Sequence, residues 1–133
     1  MFDSYDWNGK AILVAEDEEI NYLFLEEVLN RTGASVVWAK NGKEAVELFK
    51  SNLIDLVLMD LKMPEMNGYE AMKHIKEAKG GIAIIAQTAF AMSGEREEIL
   101  EAGFDGYISK PIKIPQLLSI INNCFVNNNN QTV

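Results

Sequence analysis

The chain has 133 residues, 48% of them hydrophobic and 24% charged, with a formal net charge of -8. That fits one domain with a modest core, and acidity with no basic stripe argues against direct binding to nucleic acid. No apolar run approaches the roughly 18 residues of a membrane span, the N-terminus has no signal-peptide pattern, and a single cysteine, Cys124, excludes an internal disulfide framework. A cytoplasmic domain without membrane insertion is expected.

The segment "MFDSYDW" precedes the first apolar run and offers Tyr5 or Trp7 for local packing. "AILVA" (11–15) reads as the first strand. "EINYLFLEEVLNR" follows as a helix, with Ile20, Leu23, Phe24, Val28 and Leu29 along its apolar side. "ASVVWA" (34–39) is the second strand. "GKEAVELFKSN" is the second helix, with Ala45, Val46, Leu48 and Phe49 inward. "IDLVLM" (54–59) and "IAIIA" (82–86) are nearly all apolar, as strands buried on both faces are. Between them "GYEAMKHIKEAK" carries a weaker stripe of Tyr69, Met72, Ile75 and Lys76. "SGEREEILEAG" is polar except for Ile99, Leu100 and Ala102. "GYIS" (106–109) is a short last strand, and "IPQLLSIINNCF" closes the fold with Leu117, Leu118, Ile121 and Phe125. Gly33, Gly80 and Gly103 stand where helices should stop. The tail "NNNNQTV" has little to bury, and fraying is expected there.

Five strand-then-helix units predict a parallel sheet covered by helices on both faces. Sites in such sheets form beyond the carboxyl ends of the strands. Polar groups collect there. Glu16 and Asp17 directly follow the first strand and Asp60 directly follows "LVLM". Three carboxylates at one edge repel one another unless a cation or a proton intervenes. Oxygen ligands of this kind suit Mg²⁺. Spacing alone leaves a second reading open, in which three solvated acids cap the helices that follow. Thr88 and Lys110 arrive from the fourth and fifth strands, a hydroxyl and an ammonium suited to phosphoryl oxygens.

The pieces "VAEDEE", "VLMDLKMPEMNG", "AQTA" and "DGYISKP", in this order and spacing, resemble the response-regulator receiver domain over about residues 10–125. The resemblance implies a flavodoxin-like (βα)₅ three-layer sandwich with a five-stranded parallel sheet of order 2-1-3-4-5. It leaves residues 1–9 as an N-terminal extension and 126–133 as a flexible tail. It makes Asp60 the phosphoacceptor, Glu16 and Asp17 the acidic metal pair, and the backbone carbonyl of Lys62 a further metal ligand. Thr88 becomes the switch hydroxyl, Tyr107 the switch aromatic and Lys110 the phosphate-contacting lysine. Pro111 would follow a cis peptide bond. Pro64 and Gly68 shape the turn behind Asp60, since proline pushes Met63 toward extended backbone and glycine permits close approach. Phe90, two residues past Thr88, is placed either to screen the site from water or to cover the start of the fourth helix. The chain departs from the family at Glu16, where Asp is common, and at Asn67, which often is Asp.

The implied chemistry is Mg²⁺-dependent transfer of a phosphoryl group from a phosphohistidine to Asp60, with Mn²⁺ as a substitute ion, followed by slow autodephosphorylation. The implied partners are a histidine kinase or histidine phosphotransfer domain. The surface of the fourth helix, fifth strand and fifth helix would then switch its affinity for a downstream protein or a second copy. The chain reads either as a single-domain regulator or as the receiver of a hybrid histidine kinase, and Asn21 in "EDEEIN", which resembles the receivers of such kinases, leans the reading toward the second. Two other classes compete: a phosphate-insensitive interaction module, and an Mg²⁺-dependent phosphohydrolase, for which no second acid or base stands beside Asp60. His74 reads as a surface residue and Cys124 as helix packing. Met59, Met63 and Met66 read as packing and turn residues, because the site is too rich in oxygen for soft-metal chemistry.

Overall fold

The computed structural model describes residues 5–89 and 93–131. Strands β1 (Ala11–Ala15), β2 (Ser35–Ala39), β3 (Leu56–Asp60), β4 (Ala83–Thr88) and β5 (Gly106–Ser109) alternate with helices α1 (Glu19–Asn30), α2 (Gly42–Ser51), α3 (Gly68–Ala78), α4 (Ser93–Ala102) and α5 (Ile114–Gln131). The strands form one parallel sheet in the order β2-β1-β3-β4-β5. This is the parallel sheet that the five strand-helix units predict, in the order that the resemblance implies.

Alternation along the strands divides the interior into two cores. Ile12, Val14, Leu56, Leu58, Ala83, Ile85 and Ile108 face α1 and α5. Leu13, Ala15, Val57, Met59, Ile84 and Ala86 face α2, α3 and α4. Every residue of β3 and β4 is buried, which explains their unbroken apolar runs. At the sheet's edge, β2 is only partly covered.

The inward face of α1 agrees with the expected one at Val28 and Leu29 and differs from it in the first two turns. Tyr22, Leu25, Val28 and Leu29 are buried, whereas Ile20, Leu23 and Phe24 are exposed by 82%, 50% and 43%. At 3.6 residues per turn the helix carries two apolar stripes, and the phenol of Tyr22 hid the buried one. Its ring stacks on Trp38 at 4.3 Å between centroids, 3° from parallel. The other helices bury their expected residues more closely. Ala45 and Phe49 lie inward on α2, Met72 and Ile75 on α3, and Leu117, Leu118, Ile121 and Phe125 on α5. Lys76 of α3 turns to the loop before β5, donating to the Ile82 carbonyl and to Asp105, each at 2.8 Å.

Two boundaries reach further than the sequence patterns suggest. Trp7 is buried against α5, where its indole N–H donates to Asn122 at 3.2 Å and its ring meets Phe125 edge-on. Helix α5 continues past Phe125 to Gln131. Strand β3 starts at Leu56, and the Asp55 carboxylate before it accepts from the Ala11 N–H at 2.8 Å.

Candidate functional site

The carboxyl ends of β1 and β3 place Glu16, Asp17 and Asp60 together. One carboxylate oxygen from each lies within 4.8 Å of the others. Glu16 and Asp60 are buried and Asp17 is exposed. Lys110, just after β5, reaches across the sheet to both buried acids. Its ammonium donates to Asp60 Oδ2 at 3.2 Å and to Glu16 Oε1 at 3.4 Å. The peptide before Pro111 is cis.

Backbone groups fix the carboxylates from behind. Lys62 N–H donates to Asp60 Oδ1 at 3.2 Å and Glu18 N–H to Glu16 Oε2 at 3.2 Å. The Glu16 peptide is held on both sides: its N–H donates to the Ala39 carbonyl at 2.9 Å, and its carbonyl accepts from the Trp38 indole at 2.8 Å. Sequence reasoning missed Trp38 because nothing in "ASVVWA" distinguishes a core aromatic from one that reaches the neighbouring strand's end.

Burial dominates the electrostatics of Glu16 and, with the Asp60 carboxylate alongside, pushes its pKa up to about 7 despite the opposing pull of Lys110. Burial also works against the Lys110 ammonium. There the carboxylates of Asp60 and Glu16 together outweigh it and hold the lysine above its ordinary value. One ammonium thus faces two carboxylates, with a third alongside, in a partly desolvated cleft.

That cleft has a volume of about 790 Å³ and is lined by Asp17, Asp60, Lys62, Pro64, Thr88 and Lys110, among others. Its floor behind Asp60 depends on Gly68. A Cβ there would stand 2.4 Å from the Asp60 carbonyl oxygen and 2.9 Å from Leu61 Cα, far inside contact distance. Asn67 caps α3, accepting from Glu70 N–H at 3.0 Å while the Glu70 carboxylate accepts from Asn67 N–H. In the turn between Asp60 and Gly68, Glu65 adopts a left-handed backbone (φ 64), which a non-glycine residue reaches only at some cost.

Thr88 ends β4 at the cleft and donates its hydroxyl to the Glu95 carboxylate of α4. Glu95 is a second residue the sequence did not single out, since one acid in "SGEREEILEAG" looks like any other. Tyr107 is half-buried on the α4 side, with the Arg96 guanidinium 5.8 Å from its ring centre. Phe90 lies outside the described residues. His74 is exposed, Met59 belongs to the core, and Cys124 packs half-buried beside α5's apolar face. Among the described residues no helix is long and apolar enough to cross a membrane.

The sheet order and the acidic edge closed by a lysine define a receiver-type α/β domain. Residues 12–122 match the family model of the response regulator receiver domain, and the chain belongs to that family. It is 37% identical over 114 residues to the polar-differentiation response regulator DivK of Brucella anthropi, covering 84% of this chain and 93% of that protein. The fold superposes, with a TM-score of 0.80 and 34% identity, on the receiver domain of a Pseudomonas aeruginosa sensor histidine kinase crystallised with magnesium in its active-site cleft. That match covers 86% of this chain and 96% of the other. It also superposes, with a TM-score of 0.74 and 30% identity, on the yeast (Saccharomyces cerevisiae) receiver domain of Ssk1 crystallised with the histidine phosphotransfer protein Ypd1. Here the coverage is 81% of this chain and 83% of the other. The chain is thus a phosphoacceptor receiver domain of two-component signalling.

Proposed function

We propose that Asp60 is the phosphoacceptor, that its donor is a phosphohistidine on a histidine kinase or histidine phosphotransfer domain, and that the domain works in the cytoplasm. The observation that carries this reading is the Lys110 ammonium lying between Asp60 and Glu16 beside a third carboxylate. A buried nucleophile, a fixed cation and an oxygen-rich edge are the parts phosphoryl transfer requires.

The donor set of three carboxylates suits a hard divalent ion. Glu16, Asp17, Asp60 and the backbone carbonyl of Lys62 would hold Mg²⁺, or Mn²⁺ in its place. When bound, the ion neutralises phosphoryl charge and orients the reacting oxygens. Asp60 enters as a carboxylate, with Lys62 N–H holding Oδ1 in place. One carboxylate oxygen bonds to phosphorus as the phosphorus–nitrogen bond of the donor breaks, and the electron pair leaves with the imidazole. Lys110 follows the charge from the carboxylate to the phosphoryl oxygens. Thr88 exchanges Glu95 for a phosphoryl oxygen, and Tyr107 turns inward behind it. The surface of α4, β5 and α5 then changes its affinity for a downstream protein or a second copy. Water later hydrolyses the acyl phosphate. Phe24 of α1 lines a smaller pocket with Glu16, Lys110 and Pro111, and with the exposed Ile20 and Leu23 of the same helix it supplies an apolar footing for the donor.

Intact-mass measurement after treatment with a phosphodonor and Mg²⁺ tests the assignment. The wild type gains one acid-labile phosphoryl group, and Asp60→Asn gains none. Stoichiometric labelling of Asp60→Asn would place the acceptor elsewhere.

A further inference from the structure

Gln87 is wholly buried at the carboxyl end of β4, yet among the described residues neither its amide nitrogen nor its amide oxygen has a hydrogen-bond partner. A buried polar group left unpaired carries its full desolvation cost. An apolar side chain of the same length would avoid that cost, so the amide calls for an explanation in function.

Its place in the sheet supplies one. Gln87 pairs in register with Asp60 on β3 and with Ile108 on β5. Strand alternation puts Ala83, Ile85 and therefore Gln87 on the face toward α1 and α5, the face that also holds Leu56, Leu58 and hence Asp60. Ile108 is on that face too, and Lys110 lies two residues beyond it. Lys110 leaves the β5 side of the sheet, and its ammonium is found 3.2 Å from Asp60 on β3. To reach it, the lysine side chain must cross β4, and the β4 residue on this face is Gln87. Adjacent strands are about 4.8 Å apart, within reach of a glutamine side chain.

We infer that Gln87 is a positioning residue for Lys110: its amide oxygen accepts the ammonium's remaining N–H when the lysine turns from the Asp60 carboxylate to the incoming phosphoryl group. The unpaired amide is thus the resting half of a two-position support. The cost is carried in the unphosphorylated state and recovered as Lys110 shifts. No bond is made or broken by Gln87, and it does not touch the reacting atoms. This inference rests on Asp60 being the acceptor.

The test compares the wild type with Gln87→Met, which keeps the length and removes both polar atoms. Labelling by acetyl phosphate is followed at saturating Mg²⁺, alongside the Mg²⁺ dissociation constant and thermal unfolding. The expected result is labelling slowed by about tenfold or more, with Mg²⁺ affinity unchanged and a melting temperature equal to or above wild type. Labelling at the wild-type rate overturns the inference. So does slower labelling accompanied by a lower melting temperature or weaker Mg²⁺ binding, which would make Gln87 a packing residue. A second measurement needs no variant: the side-chain amide NMR signals of Gln87 should shift when Asp60 is phosphorylated, and unmoved signals also overturn it. A wild type that takes no label at Asp60 would defeat the phosphoacceptor assignment, whereas a labelled wild type with an unaffected Gln87→Met defeats the role of Gln87 alone.

Discussion

The indole N–H of Trp38 donates to the backbone carbonyl of Glu16 across 2.8 Å, joining the end of β2 to the end of β1 at the acidic edge. Trp38 is held in turn by its stack on Tyr22. The peptide that carries Glu16 into Asp17 therefore cannot rotate without breaking a bond to an anchored ring.

Replacing Trp38 with Phe keeps most of the stacking surface and removes only the N–H donor. One hydrogen bond of this kind is worth about 0.5–1.5 kcal/mol. If that energy holds the acids in their binding geometry, Mg²⁺ affinity falls roughly three- to tenfold. Titration of Mg²⁺ against backbone NMR signals reads the effect. A lower unfolding midpoint with unchanged Mg²⁺ affinity would show that the bond serves the fold and not the site.

Gly68→Ala should damage the site through the backbone. The added Cβ would meet the Asp60 carbonyl at 2.4 Å, and backbone atoms cannot step aside as a flexible side chain would. Overpacking of this kind costs about 1–3 kcal/mol. Urea unfolding should show that loss, together with slower labelling of Asp60. Wild-type stability would mean that the turn from Asp60 to Gly68 is looser than its contacts indicate.

Glu16, Asp60 and Lys110 were legible in the sequence because each follows an apolar run closely, and the strand period sends it to one edge. The sheet order came with the family resemblance carried by those same residues. What stayed hidden depends on contacts between distant segments. Trp38 and Glu16 are 22 positions apart, and no local pattern marks an indole aimed at a neighbouring strand's carbonyl. Tyr22 was passed over because its hydroxyl made it look polar, although its ring is buried. Gln87 drew no reading of its own, standing between the apolar run "IAIIA" and Thr88. Only the register, with Asp60 on one side and β5 on the other, gives its amide a setting. Trp7 belongs to the same group, since its burial depends on α5, 115 positions away.

Tyr22 carries a prediction about alkaline stability. Burial, then the hydrogen bond to Glu26 and that residue's charge, raise the phenol's pKa above its ordinary value. The folded state thus favours the neutral phenol. Its contribution is fully present below the unfolded pKa of about 10 and is lost as pH rises beyond it. Stability measured by urea unfolding should therefore fall above about pH 10 more steeply in the wild type than in Tyr22→Phe, which keeps the stacked ring but cannot ionise. Parallel curves for the two proteins would contradict the shift.

Asp17→Asn should separate metal binding from stability, because the two respond to the same charge with opposite sign. Asp17 is the exposed member of three carboxylates lying within 4.8 Å of one another, and the bonds of Lys110 go to the other two. In the metal-free protein its charge adds repulsion with no direct lysine contact to offset it. Asparagine keeps the size and removes the repulsion, so the metal-free variant should melt a few degrees higher, roughly the shift expected for a small gain in a domain of this size. The same substitution deprives a hard cation of an anionic ligand, so Mg²⁺ affinity should drop by about tenfold or more. Added Mg²⁺ would then raise the melting temperature of the wild type well above its effect on the variant. The gain in the metal-free state should shrink in about 1 M salt, where the screening length is near 3 Å. A metal-free Asp17→Asn protein that melts below the wild type would show that Asp17 is held by contacts stronger than the repulsion. An Mg²⁺ affinity equal to that of the wild type would remove Asp17 from the ligand set.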